Sequence, residues 1–125
     1  MTLEMKLELV PVPVTDIDRA KAFYVDKAAF AADHDMTVGE GVRIVQLTPP
    51  GSGCSVLLWS GLPGMDMVPG SQRGFHLVVK DIRAAREELA GRGVEMGEID
   101  DMGGVLYSAF SDPDGNTWTL QQIPG

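Results

Sequence analysis

Few side chains in this 125-residue chain can do acid–base or nucleophilic chemistry. There are two histidines, His34 and His76, and one cysteine, Cys54. His76 stands in the apolar run Phe75-His76-Leu77-Val78-Val79, where it can donate a hydrogen bond to a ligand or act as a weak base. His34 lies between Asp33 and Asp35 and reads as a solvated loop residue, because three consecutive polar side chains bury nothing. Cys54 has no histidine near it in sequence, so it reads as a small apolar residue in or beside a strand rather than a reactive thiol. A lone cysteine excludes an intramolecular disulfide and a cysteine-rich zinc site. No Ser, His and Asp spacing marks a nucleophile elbow, and no glycine-rich loop follows a strand to cradle phosphate. What remains is recognition chemistry: a flat indole at Trp59 for stacking an aromatic molecule, and a few polar side chains able to orient it.

The elements that must position these residues come in two copies. Val14-x-Asp16-Ile17-x-x-Ala20-Lys21 recurs as Val79-x-Asp81-Ile82-x-x-Ala85-Arg86, a constant offset of 65 residues. Each copy follows an extended apolar run and opens a helix. In the first half, Leu7 to Val14 is a strand whose Pro11 and Pro13 place it at a sheet edge. Thr15 or Asp16 caps a helix from Ile17 to about Lys27, with Ile17, Ala20, Phe23 and Tyr24 on one face. Strands over Val42 to Thr48 and Cys54 to Trp59 complete a set of two or three, divided by the Pro49-Pro50-Gly51-Ser52-Gly53 turn. In the second half, Phe75 to Val79 is a strand and Asp81 caps a helix to about Ala90, which Gly91-Arg92-Gly93 ends. Val94 to Ile99, Val105 to Phe110 and Thr117 to Gln122 supply three strands, the last two joined by the Ser111-Asp112-Pro113-Asp114-Gly115-Asn116 turn. The expected organisation is a single domain of module one (about 5–60), linker (61–74) and module two (75–123). Each module is near the lower limit of independent stability, so the halves fold together.

Composition narrows the partners. A net charge of −8 with scattered basic residues argues against binding the phosphate backbone of nucleic acids. No apolar stretch approaches the ~20 residues that span a bilayer, and the first ten residues lack the pattern of a secretion signal, so the expected location is cytoplasmic, away from membranes.

The order strand, helix, three strands, twice, with Val14-Thr15-Asp16-Ile17-Asp18-Arg19-Ala20-Lys21-Ala22-Phe23-Tyr24 early and Asp112-Pro113-Asp114-Gly115-Asn116 late, resembles the glyoxalase, bleomycin resistance and extradiol dioxygenase superfamily, also called vicinal oxygen chelate proteins. The resemblance covers nearly the whole chain. It implies an α+β fold of two βαβββ modules whose curved mixed sheets enclose a ligand cleft, often completed by a dimer partner. Metal-dependent members place ligands at positions that fall here on Leu9, Gly74, Thr119 and one of Val56, Leu57 or Leu58. A divalent catalytic metal needs at least three converging His, Asp, Glu or similar side chains, so no metal and no other cofactor is expected.

Side chains alternate along a strand, so residues two apart from these positions share their face. Gly74 thereby brings His76 toward the cleft, Leu57 brings Trp59, and Thr119 brings Thr117 and Gln121. Alternation adds Gln46 and Tyr107, whereas Trp118 faces the other way and packs against a helix. Met65 and Met67, flanking Asp66 in the linker, could cover a ligand with flexible thioethers. The expected ligand-binding set is therefore Leu9, Gln46, Leu57, Trp59, His76, Tyr107, Thr119 and Gln121, with no catalytic residue. These residues suit a metal-free homodimer that sequesters a small apolar or aromatic metabolite or antibiotic. Two alternatives are a lyase, isomerase or dioxygenase, with a metal at non-family positions or with metal-free proton transfer by His76, and a small dimeric protein-interaction module.

Overall fold

The computed structural model describes residues 2–124. Its elements run β1 (Leu9–Pro11), α1 (Ile17–Ala22) continuing into a π-helical turn (Phe23–Lys27), β2 (Ala31–Thr37), β3 (Arg43–Thr48), β4 (Ser55–Ser60), β5 (Phe75–Val78), α2 (Ile82–Gly91), β6 (Asp100–Met102), β7 (Val105–Ser111) and β8 (Thr117–Gln122). They form two four-stranded mixed sheets with the same topology, β1-β4-β3-β2 (sheet A) and β5-β8-β7-β6 (sheet B). In each, the first strand runs parallel to the last and the other pairs are antiparallel. This is the expected α+β fold of two βαβββ units, with β1 at an edge as Pro11 allows; the strand is shorter than the expected Leu7 to Val14 and ends before Pro13.

The repeated aspartates do the same work twice. Asp16 accepts a hydrogen bond from Arg19 N and Asp81 from Ala84 N, each at 3.1 Å, satisfying an otherwise orphaned amide of the first helical turn. At the end of α2, Gly93 takes φ 98°, the left-handed conformation that terminates a helix.

One core serves both sheets. From sheet A come Val45, Leu47, Val56 and Leu58, and from sheet B come Phe110, Trp118 and Leu120, all buried. The first helical segment and the residues just after it cover this side: Tyr24 and Phe30 stack edge-on against Trp118 at ring-centroid distances of 5.7 and 5.3 Å. Trp118 thus faces away from the expected cleft and packs on Tyr24 of the helical segment and on Phe30 beyond it, as its neighbourhood to Thr119 requires. Among the described residues no helix or strand layer packs on the opposite face of either sheet, and the two sheets do not close on one another.

Three expectations need correction. His34 is exposed but not in a loop: it belongs to β2, whose seven residues are all exposed and whose pairing comes from β3 rather than from burial. Val94 to Ile99 is not a strand. Gly97 N donates to Ala109 O at 2.8 Å, one isolated contact, and ladder pairing to β7 begins only at Asp100. The first helix does reach Lys27, but its last turn is π-helical rather than α-helical.

Candidate functional site

The strand registers sort the expected ligand-binding residues into two groups. On sheet A, three rows cross the open face. Met36, Ile44 and Trp59 form the first; His34, Gln46, Leu57 and Pro11 the second; Ala31, Thr48, Ser55 and Leu9 the third. Leu9, Gln46, Leu57 and Trp59 therefore share one surface, all half-buried. Val56 and Leu58 point to the core instead, so of the three candidate positions only Leu57 shares the face of Leu9.

Sheet B presents the other group. His76, Thr119 and Ala109 form one row, and Val78, Gln121, Tyr107 and Asp100 the next. His76 stands edge-on to Tyr107, ring centroids 6.0 Å apart and planes at 86°. Its Nδ1 lies 2.7 Å from Gly74 O. A carbonyl oxygen can only accept, so Nδ1 carries the proton, and in the neutral form of the ring Nε2 keeps its lone pair for another partner. Gly74 N in turn donates to the Thr117 hydroxyl oxygen at 2.7 Å, which fixes the start of β5.

The structure brings Trp59 together with Gln46, Leu57 and Leu9, and His76 together with Tyr107, Thr119 and Gln121. It does not bring the two groups together: among the described residues no hydrogen bond or ring contact joins them, and Trp59 and His76 line separate cavities. Trp59 borders a 330 Å³ pocket with Pro13, Val14, Met65, Asp66, Met67 and Val68. The linker methionines line the same pocket as the indole, and Trp59 Nε1 donates to the Met65 backbone O at 3.1 Å, which fixes the ring against the loop. His76, on an edge strand, sits at the rim of a 460 Å³ apolar groove lined by Phe30, Leu77, Ala85 and Leu89 on the core side of sheet B.

Sequence reasoning missed several members of the sheet A face. Ile44 and Thr48 lie two residues either side of Gln46, and Ser55 two residues before Leu57, so all three were available from alternation alone, whereas Met36 and His34 needed the β2–β3 register.

The metal positions implied by the resemblance hold Leu9, Leu57, Gly74 and Thr119, which offer one hydroxyl between them. These residues do not fit a divalent metal. Among the described residues, no three His, Cys, Asp or Glu side chains are placed to hold a metal ion elsewhere.

Comparison with known proteins agrees with this architecture. The crystal structure of TnmS3, an antibiotic binding protein from Streptomyces sp. CB03234, superposes with a TM-score of 0.84 at 34% identity, covering 99% of this chain and 100% of that one. A glyoxalase/bleomycin resistance protein from the same organism gives a TM-score of 0.79 at 36% identity, covering 94% of this chain and 100% of that one. The protein YetH of Bacillus subtilis (strain 168) is 30% identical over 119 residues, covering 90% of this chain and 94% of YetH. Residues 6–120 match the model of the Glyoxalase/Bleomycin resistance protein/Dioxygenase superfamily, and the chain belongs to that superfamily.

Proposed function

We propose that this protein is a metal-free binding protein that sequesters a small, largely apolar or aromatic molecule, such as an antibiotic or other secondary metabolite, on the open faces of its sheets. The observation that carries this reading is the composition of those faces. Trp59, Ile44 and Leu57 give a flat apolar surface, and Gln46, His76, Thr119 and Gln121 supply uncharged hydrogen-bonding groups to orient a guest. TnmS3, described as an antibiotic binding protein, supports the same class of ligand. The working form is a homodimer in which a second copy lies over the open faces and completes the cleft, since among the described residues only the linker segment beside Trp59 approaches either face. The protein acts in the cytoplasm.

The test is calorimetry of Trp59→Ala and His76→Ala against a panel of aromatic metabolites, with Glu40→Ala as a control outside the site. Loss of a stacking contact or of one hydrogen bond removes about 1 kcal/mol, roughly a fivefold loss of affinity in either variant. Binding equal to the parent in both variants rejects the site.

A second reading, proton transfer without a metal, rests on His76, whose Nδ1 contact with Gly74 O leaves Nε2 as a base. Exchange of deuterium from solvent into a bound carbon acid, abolished in His76→Ala, is its signature; no exchange in the parent rejects it.

A further inference from the structure

His34 looks least like a functional residue in the sequence, yet the structure places it on the sheet A open face. The register of β2 against β3 shifts between Ala32, opposite Leu47, and His34, opposite Gln46. One extra residue, Asp33, is therefore accommodated in a bulge. Without it His34 would stand opposite Val45, whose side chain belongs to the core, so the bulge decides which side of the sheet the imidazole occupies.

Both neighbours are anchored, on opposite sides. The Asp33 carboxylate accepts from the Thr48 hydroxyl, which lies 2.7 Å from Ser55 Oγ on the open face. Asp35 is held toward α1 and β3 by Lys21 Nζ at 2.7 Å and by Arg43 Nε and Nη2 at 3.1 and 2.9 Å. The imidazole between them is exposed and has no hydrogen-bond partner among the described residues. Across the strand pair its neighbour is Gln46, and the row beside it is Met36, Ile44 and Trp59.

The face is thus graded. One row is wholly apolar and carries the indole; the next offers the His34 imidazole and the Gln46 amide; the third holds the Thr48 and Ser55 hydroxyls, already bonded to each other and to Asp33. We infer that His34 is a specificity-determining residue of this face, and that the ligand it selects is an aromatic molecule bearing a hydroxyl group. The ring lies on Trp59 and Ile44, and the hydroxyl lies over His34 and Gln46. A ligand without hydroxyls would strip water from these polar groups and return nothing, which is where discrimination arises.

The inference rests on the binding function proposed above, and two probes separate their failures. Dissociation constants for 2-naphthol and for 2-methylnaphthalene, which differ by a hydroxyl against a methyl group, are measured by naphthalene fluorescence on the parent, His34→Ala, His34→Gln and Trp59→Ala. His34→Ala is expected to weaken 2-naphthol about fivefold and 2-methylnaphthalene by less than about twofold. His34→Gln, which keeps a hydrogen-bonding group on an exposed strand, is expected to recover most of the loss, and Trp59→Ala to weaken both probes. If His34→Ala affects both probes equally or neither, the role of His34 is overturned while the binding reading stands. If neither probe binds the parent, the binding reading falls and His34 with it.

Discussion

Ala29 adopts φ 65°, the one non-glycine residue with positive φ among those described. It sits where the first helical segment ends, just before Phe30 N closes onto Tyr24 O at 2.8 Å. An L-residue with a Cβ is strained there by about 1 kcal/mol, which glycine relieves at some cost in unfolded-state entropy. Ala29→Gly should therefore stabilise the protein by about 0.5–1 kcal/mol and raise its melting temperature by a few degrees, roughly 2–5 °C. A thermal unfolding scan showing a lower midpoint would mean that the Cβ packs usefully against the neighbouring groove. At the same scale, Gly70 has φ 78° and its amide donates to Pro13 O at 3.0 Å, and any Cβ there would collide with the Asp114 carbonyl. Gly70→Ala should destabilise by more than about 2 kcal/mol, read as a lower denaturant midpoint at unchanged slope.

The element that ties the modules together is the π-helical turn, because it carries Phe23 and Tyr24 across to the core of sheet B. Tyr24 is fully buried, donates to Asp112 Oδ2 at 2.7 Å and accepts from Trp118 Nε1 at 2.9 Å. Asn116 Nδ2 completes the network, donating to Asp112 Oδ2 at 2.7 Å and to Pro13 O at 2.9 Å. Burial, then the adjacent Asp112 charge, pushes the Tyr24 hydroxyl far above its ordinary pKa, so it stays protonated and keeps donating at any pH the fold survives. Tyr24→Phe removes the donor to Asp112 and the acceptor for Trp118 together. The expected loss is about 2–4 kcal/mol in equilibrium unfolding, and a loss below about 0.5 kcal/mol would mean that water replaces the hydroxyl. The helix caps, β3, β4, β7 and β8 were legible in the sequence because each carries its own signal: a capping aspartate, or alternating apolar residues facing the core. β2 was not, since Ala31 to Thr37 is exposed throughout and owes its pairing to a neighbour, and with it went the bulge that turns His34 outward. β6 failed for the same reason: Asp100 to Met102 is exposed, whereas the alternating segment before it, with Val94 buried and Met96 half-buried, has the side-chain pattern of a strand without the ladder. Strand parity placed the eight expected site residues on faces correctly but could not say that they divide between two sheets whose open sides do not meet within one chain.

At the scale of the whole molecule, two open faces remain, one with the Trp59 indole, an apolar row and the polar groups of His34 and Gln46, the other with His76, Tyr107, Thr119, Gln121 and Asp100. Sedimentation should show a dimer at micromolar concentration, and a monomer that still binds its ligand would remove the partner's contribution to the site. Added zinc or manganese should leave the melting temperature unchanged. One metal per chain by elemental analysis, lost on replacing His76, would reject the metal-free reading. The central claim is that ligand meets the open faces rather than the 460 Å³ groove beside α2. The most direct measurement is nuclear magnetic resonance of the labelled protein titrated with 2-naphthol. The account predicts shifts at the Trp59 indole N–H and at the Gln46 and Gln121 side-chain amides, with Ala28, Ala85 and Leu89 in the groove unmoved; shifts confined to Ala28, Ala85 and Leu89 would contradict it.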